Sequence, residues 1–154
     1  MREASETATV LAMQQDHSIA DGRLRITSGT PWEGRVGYSR AMRVGDLVFV
    51  TGTLAANDDG SIAHPDDAGP QTAFIFEKIR HALEACGATV ADVVRTRMFI
   101  THLEDQAAVG AAHAAVFGSV RPCATMVQCG GLVSPEARVE IEVDAVVTQP
   151  KPVL

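Results

Sequence analysis

In a chain of 154 residues, the side chains with distinctive chemistry are few: five histidines, three cysteines, one tryptophan and one tyrosine. Metal sites draw their ligands from short, repeated spacings, and His17, His64, His81 and His102 have no such partners, so no metal site is expected. His113 falls on a predicted helix, where an ordinary surface position is the expectation and a cleft-facing one the alternative. Cys86, Cys123 and Cys129 are odd in number and lack close pairing, which fits reduced thiols of a cytosolic protein. Cys123 and Cys129 lie six apart on a predicted strand and share a face; small buried thiols are the commoner outcome, a thiol beside a ligand the sharper one. Trp32, in Thr30-Pro31-Trp32-Glu33-Gly34, either lids a cleft or anchors its loop. Near the end of the chain Glu140, Glu142 and Asp144 alternate with Val139, Ile141 and Val143, which puts the three acids on one face of a strand. Arg95 and Arg97 on a preceding strand are their expected partners across the sheet.

These residues need a scaffold, and the composition supports one. With 46% hydrophobic residues, the chain has the content of a single domain that buries its own core. Its net charge of −6, with no basic stretch, argues against an extended nucleic-acid surface. No apolar run reaches membrane-spanning length, and Met1–Gln15 carries acids and polar residues where an export signal needs a basic flank and an apolar stretch. A cytoplasmic protein is the expectation. Residues 1–20 are expected to form a flexible leader, 21–148 a single domain and 149–154 a tail.

Within that domain Ala41–Val44 and Leu47–Thr53 are predicted antiparallel strands, since the two-residue link Gly45-Asp46 suits a tight hairpin. Asn57-Asp58-Asp59-Gly60 is a turn. Thr72, Phe76, Ile79, Leu83 and Cys86 recur at four- and three-residue steps and predict a helix from Ala68 or Pro70 to Cys86, stopped by Gly87. A strand over Val93–Thr101, an alanine-rich helix from about Asp105 to Phe117, and strands over Pro122–Cys129 and Arg138–Thr148 follow. This order predicts an α/β (α+β) fold in which both helices cover one face of a mixed sheet. The other face calls for self-association to bury it.

Gly37-Tyr38-Ser39-Arg40-Ala41 and the run Val44-Gly45-Asp46-Leu47-Val48-Phe49-Val50-Thr51-Gly52 resemble the opening of the Rid (reactive intermediate deaminase, YjgF-like) family. Gln71-Thr72, Leu83-Glu84-Ala85-Cys86-Gly87-Ala88, Asp92-Val93-Val94-Arg95-Thr96, Phe99-Ile100-Thr101 and Val139-Glu140-Ile141-Glu142 are similar to it in the same order, over about Arg23 to Val147. The resemblance implies a chorismate-mutase-like fold with a mixed six-stranded sheet, and a homotrimeric barrel with three clefts between subunits. It also implies hydrolysis of reactive enamines and imines, with a small-molecule substrate and neither metal nor organic cofactor.

By the same resemblance Tyr38 is the pocket tyrosine that bonds the substrate or a water, and Glu140 the carboxylate that activates water. Thr51 and Gly52 end a strand whose backbone meets the ligand, where glycine permits close approach. A cross-strand salt bridge is the competing role of Glu140, and a simple bend that of Gly52. The departure lies in Pro122-Cys123-Ala124-Thr125-Met126-Val127-Gln128-Cys129, because typical members have Pro-x-Arg and this chain has Ala124 at the arginine position. A guanidinium grips a substrate carboxylate in two-point fashion, and alanine supplies neither the charge nor the orientation. The usual action on 2-iminopropanoate and 2-iminobutanoate is thereby put in question, and a roomier, less charged pocket with Ala124, Thr125, Gln128 and Trp32 is expected. Arg40, Arg97 and Arg121 are each expected to be surface or sheet-pairing charges.

Two function classes follow. The first is a hydrolase deaminating an imine, an enamine or an aminomuconate-like compound. The second is a non-catalytic metabolite-binding or protein-interaction trimer that kept the cleft and lost the anchoring arginine. RNA cleavage, also attached to the family, draws little support from an acidic chain without an aromatic and basic surface.

Overall fold

In the computed structural model, which describes residues 14–16 and 22–148, strands β1 (Gln14–Asp16) and β2 (Arg23–Thr27) lead into a short helix, α1 (Pro31–Val36). The hairpin β3 (Ala41–Val44) and β4 (Leu47–Thr53) precedes α2 (Ala68–Ala85), β5 (Val93–Ile100), α3 (Gln106–Phe117), β6 (Cys123–Gln128) and β7 (Val139–Val146). One sheet takes all the strands in the order β1-β2-β3-β4-β7-β5-β6. Only β5 and β6 run parallel. The last strand in sequence therefore inserts between β4 and β5, which brings Glu140 to the middle of the sheet.

The elements form for the reasons their sequences suggest. Gly45 takes φ 59° in the hairpin link, a left-handed value that glycine adopts without the Cβ clash of other residues. At the end of α2, Gly87 (φ 70°) donates to the Glu84 carbonyl and Ala88 to the Leu83 carbonyl, both at 2.9 Å, closing the helix with a paired C-terminal motif. Ile75, Phe76, Ile79 and Leu83 of α2, with Val109 and Phe117 of α3, pack on Val48, Val50, Met98, Ile100, Ile141 and Val143 of the sheet. Each such side chain removed from water contributes roughly 1.5–3 kcal/mol before entropy is counted. Both long helices cover this one face, as the sequence predicts.

The five strands placed from the sequence correspond to β3 through β7, β2 is the sixth that the resemblance implied without placing it, and β1 adds a three-residue seventh at the edge, within the stretch expected to be a leader. The rest of that stretch and the tail, residues 149–154, lie outside the described residues. The loop expected around Trp32 is instead α1. Pro31 suits a first helical turn, and Gly37 (φ 83°) ends the helix by donating to the Glu33 carbonyl at 2.9 Å. Six residues are too few to show a helical period. Among the described residues no helix is long and apolar enough to cross a membrane.

His113 takes neither of its expected positions. It packs between Phe76 and Phe117, with ring centroids at 5.8 and 4.9 Å, and shares a 2.9 Å hydrogen bond with the Thr96 hydroxyl. The apolar setting pushes its pKa below the ordinary histidine value. Cys123 is exposed at the start of β6 rather than buried, because β6 is an edge strand.

Candidate active site

The site begins with an irregularity in β4. Val50 pairs with Val143 and Thr53 with Ile141, so Thr51 and Gly52 together stand opposite the one residue between those partners, Glu142. Such a bulge bends a strand and re-aims what lies beside it. The Thr51 N–H donates to the Arg40 carbonyl at 3.1 Å, and the Thr51 hydroxyl to the Ser39 carbonyl at 2.6 Å. Thr53, fully buried, donates its hydroxyl to the Thr51 carbonyl at 2.8 Å. The bulge is thus pinned to the segment that carries Tyr38, Ser39 and Arg40.

Next to the bulge, on β7, is Glu140. A Cβ placed on Gly52 would fall 2.5 Å from Glu140 Oε1 and 3.2 Å from Cδ, so the carboxylate occupies the space that the glycine leaves free. Thr51, Gly52 and Glu140 line an open cavity of about 410 Å³ with Phe99, Cys129, Gly131, Leu132 and Glu142. Burial raises the Glu140 pKa above the ordinary carboxylate value; Arg40 opposes the shift, and Glu142 adds to it. A carboxylate so placed holds a proton more readily than an exposed one, which is the property a general base needs.

Arg40 corrects the expectation of a surface charge. It is 8% exposed, donates from one terminal nitrogen to Thr53 Oγ1 at 3.1 Å and from the other to the Gly52 carbonyl at 3.3 Å, and leaves its buried Nε without a hydrogen-bond partner. Desolvation lowers its pKa, while Tyr38, Glu33 and Glu140 favour its charge. The Tyr38 ring centroid is 5.9 Å from its guanidinium carbon. Glu33 of α1 is itself buried and accepts hydrogen bonds from the Thr27 hydroxyl and from the Ser28 N–H and hydroxyl. On the α2 side Lys78 donates to the Ala56 carbonyl at 2.7 Å, and burial first, then Arg40, lowers its pKa to about 8.

The segment that leads from Cys129, Gly131 and Leu132 into β7 is held at Glu136 and Arg138 by Gln71, which is fully buried. Its side-chain amide donates to the His64 and Glu136 carbonyls, both at 2.9 Å, and its oxygen accepts the Arg138 N–H at 2.8 Å. Arg138 in turn makes a two-point ion pair with Asp105, at 2.7 and 3.1 Å. Both contacts hold the chain two residues before Glu140.

Residues 30–147 match the family model described as endoribonuclease L-PSP, and so span the bulge, Glu140 and the cavity wall. The chain belongs to the YjgF/Rid family. The Rid chain is similar to a Mycobacterium tuberculosis protein whose crystal structure is described as a member of the YjgF/YER057c/UK114 family. Identity is 43%, coverage 81% of this chain and 99% of that one, and the TM-score 0.74. It is also similar to RidA from the Antarctic bacterium Psychrobacter sp. PAMC 21119, at 28% identity and a TM-score of 0.66, over 71% of this chain and 88% of that one. An uncharacterised protein of Streptomyces coelicolor is 37% identical over 121 residues, which is 79% of this chain and 90% of the relative.

Of the residues expected at the Rid site, the structure brings Thr51, Gly52 and Glu140 into one cavity and sets Tyr38 beside Arg40. Ala124, Thr125 and Gln128 are exposed on β6 and do not line that cavity. Ala124 pairs with Thr96, whose side chain faces α3 and His113, so the alanine sits on the opposite side of the sheet from Glu140. Gln128 donates to the Thr101 carbonyl at 3.3 Å. Trp32 is 62% exposed on α1, with the Arg35 guanidinium 5.7 Å from its ring. Arg97 does pair across the sheet, with Glu142 at 3.0 Å and Asp144 at 3.2 Å, which leaves Glu140 outside that network. Arg121 is exposed. Sequence reasoning overlooked the wall residues Phe99 and Leu132; the pairing of Phe99 with Glu140 was the signal, and it needs the register to be read.

Proposed function

We propose that this Rid-family chain is a small-molecule hydrolase that deaminates an imine, the imine tautomer of an enamine, or an aminomuconate-like compound. The observation that carries the reading is the Glu140 carboxylate, seated against Gly52 in the cavity with its pKa raised by burial. Glu140 takes a proton from water as the water oxygen bonds to the carbon of the C=N group, and the nitrogen gains a proton. The resulting amino alcohol then loses ammonia, and its hydroxyl becomes the carbonyl of the product. Tyr38 orients the substrate, and the Thr51–Gly52 backbone meets it at the bulge.

Assembly as a homotrimer completes the cleft in this reading. Leu47 and Phe49, 46% and 44% exposed, and Val127, 44% exposed, leave apolar surface on the sheet that a second copy would cover. In this reading the edge strand β6 brings Ala124, Thr125 and Gln128 toward the Glu140 of a neighbouring subunit.

Ala124 favours one alternative, a trimer that binds a metabolite or a protein without turning it over, because the usual anchor for a substrate carboxylate is missing. Ammonia release from freshly generated 2-iminopropanoate and from 2-aminomuconate, compared among wild type, Glu140→Gln and Ala124→Arg, decides between the two. Release on either substrate that Glu140→Gln abolishes while staying trimeric supports the hydrolase. Release that persists in Glu140→Gln rejects the role of Glu140, and absence of release with tight metabolite binding favours the alternative.

A further inference from the structure

The bulge that seats Glu140 is stapled by a single buried residue to which the reaction scheme gives no part. Arg40 meets it at three points: its carbonyl accepts the Thr51 N–H, one terminal nitrogen donates to the Gly52 carbonyl and the other to the Thr53 hydroxyl. Glu140 Oε1 occupies the space that a Cβ on the same Gly52 would take. One residue thus has the guanidinium bonded to its carbonyl and the carboxylate in the space its missing side chain leaves.

We propose that Arg40 is a positioning residue for Glu140, acting through Gly52: it fixes the bulge against which the carboxylate seats and supplies the positive charge behind it. The proposal rests on Glu140 being the working carboxylate of the site. A buried cation is costly to keep, and its unpartnered Nε adds to the cost, so a purely structural staple would be served as well by a neutral donor. What a neutral donor cannot supply is charge. The titratable groups that bear on Glu140 are Arg40 and Glu142; those that bear on Arg40 are the Glu33 and Glu140 carboxylates and the Tyr38 phenol. Glu142 has a partner of its own in Arg97, and among the described residues Arg40 is the cation that opposes the effect of burial on Glu140. Lys78 senses the same charge, since Arg40 helps to hold its pKa near 8. The role also gives the site a fixed cation without exposing it: Arg40 does not line the cavity, and so orders the carboxylate rather than gripping a substrate.

The test separates charge from shape. Carbon-13 NMR titration of the glutamate carboxyls in the full chain, with Glu140 assigned by its absence in Glu140→Gln, reads the carboxylate with no substrate present. In Arg40→Gln the Glu140 midpoint moves up; in Arg40→Lys it stays near that of wild type. Where ammonia release is measurable, Arg40→Gln lowers kcat about tenfold, leaves KM within about twofold and moves the acid limb of the pH profile upward with the NMR midpoint. A Glu140 midpoint that is unchanged in Arg40→Gln overturns the proposal. Should Arg40→Gln fail to fold, Arg40→Lys decides: its Gly52 amide signal shifts because the two-point staple is lost while the Glu140 midpoint stays near that of wild type, and an unchanged Gly52 amide signal overturns the proposal. Absence of ammonia release in wild type counts against the hydrolase reading alone, because the titration still reports on Arg40 and Glu140.

Discussion

Glu140 Oε1 stands 2.5 Å from where a methyl group on Gly52 would be, so the position of the carboxylate depends on that residue having no side chain. The backbone of Gly52 is not in the left-handed region, which makes space rather than conformation the reason for the glycine. Gly52→Ala is expected to push the carboxylate aside at little cost in stability, because the displaced atom is the end of a flexible side chain. A misplacement on the order of 1 Å costs about 100-fold in turnover. Comparing ammonia release with the thermal midpoint of the same variant checks this; a large loss of stability with normal turnover would sink it.

Glu140→Gln is expected to abolish ammonia release, by about 100-fold or more, and to stabilise the protein at neutral pH. The folded-state pKa of Glu140 is raised by burial, so the stability tied to it is complete below the unfolded carboxylate pKa and is lost as pH rises through the folded value. The neutral glutamine escapes that loss. The thermal midpoint of the variant should exceed that of wild type at pH 7 and approach it near pH 4.

Gln71→Ala would leave the His64 and Glu136 carbonyls and the Arg138 N–H without the partner they have now. A loss of about 2–4 kcal/mol in denaturant unfolding is expected, since each buried polar group left unsatisfied costs about 1–3 kcal/mol and water recovers part of it. His64 (φ 51°) and Asp66 (φ 59°) hold left-handed backbone in the loop that Gln71 grips, which makes that loop the first to loosen. Limited proteolysis between residues 57 and 67 reads it directly.

The stability of the helix–sheet interface is expected to fall as pH drops. The His113 pKa is lowered by its apolar surroundings, so its contribution is present above the unfolded histidine pKa, about 6.5, and is lost as pH falls toward the folded value. His113→Gln, which retains a donor for Thr96 and does not titrate, should flatten the stability profile between pH 7 and pH 5. A profile of unchanged slope would show that other groups set it.

Ala124→Arg is expected to leave the fold and the thermal midpoint nearly unchanged, because residue 124 is exposed on the edge strand β6. It should raise activity on 2-iminopropanoate if neighbouring copies bring this position to Glu140. An inactive but trimeric variant would remove that arrangement from consideration.

Residue order alone determined the hairpin at Gly45-Asp46, the helix that stops at Gly87, the alternation of the last strand and the family, because each rests on local chemistry: turn conformation, the helical period and the two-residue period of a strand. It also picked out Thr51, Gly52 and Glu140 through the resemblance. The tertiary structure decided what local patterns do not encode. The insertion of β7 between β4 and β5 set Glu140 against the bulge, and that pairing links residues almost ninety positions apart. It turned Arg40 from an expected surface charge into a buried staple, because only the packed strands show which side of the chain has lost its water. It moved His113 between two phenylalanines for the same reason, and it left Ala124 on the far face of its own subunit. Burial and register are properties of elements brought together, and they are where a charge acquires its pKa and a glycine its purpose.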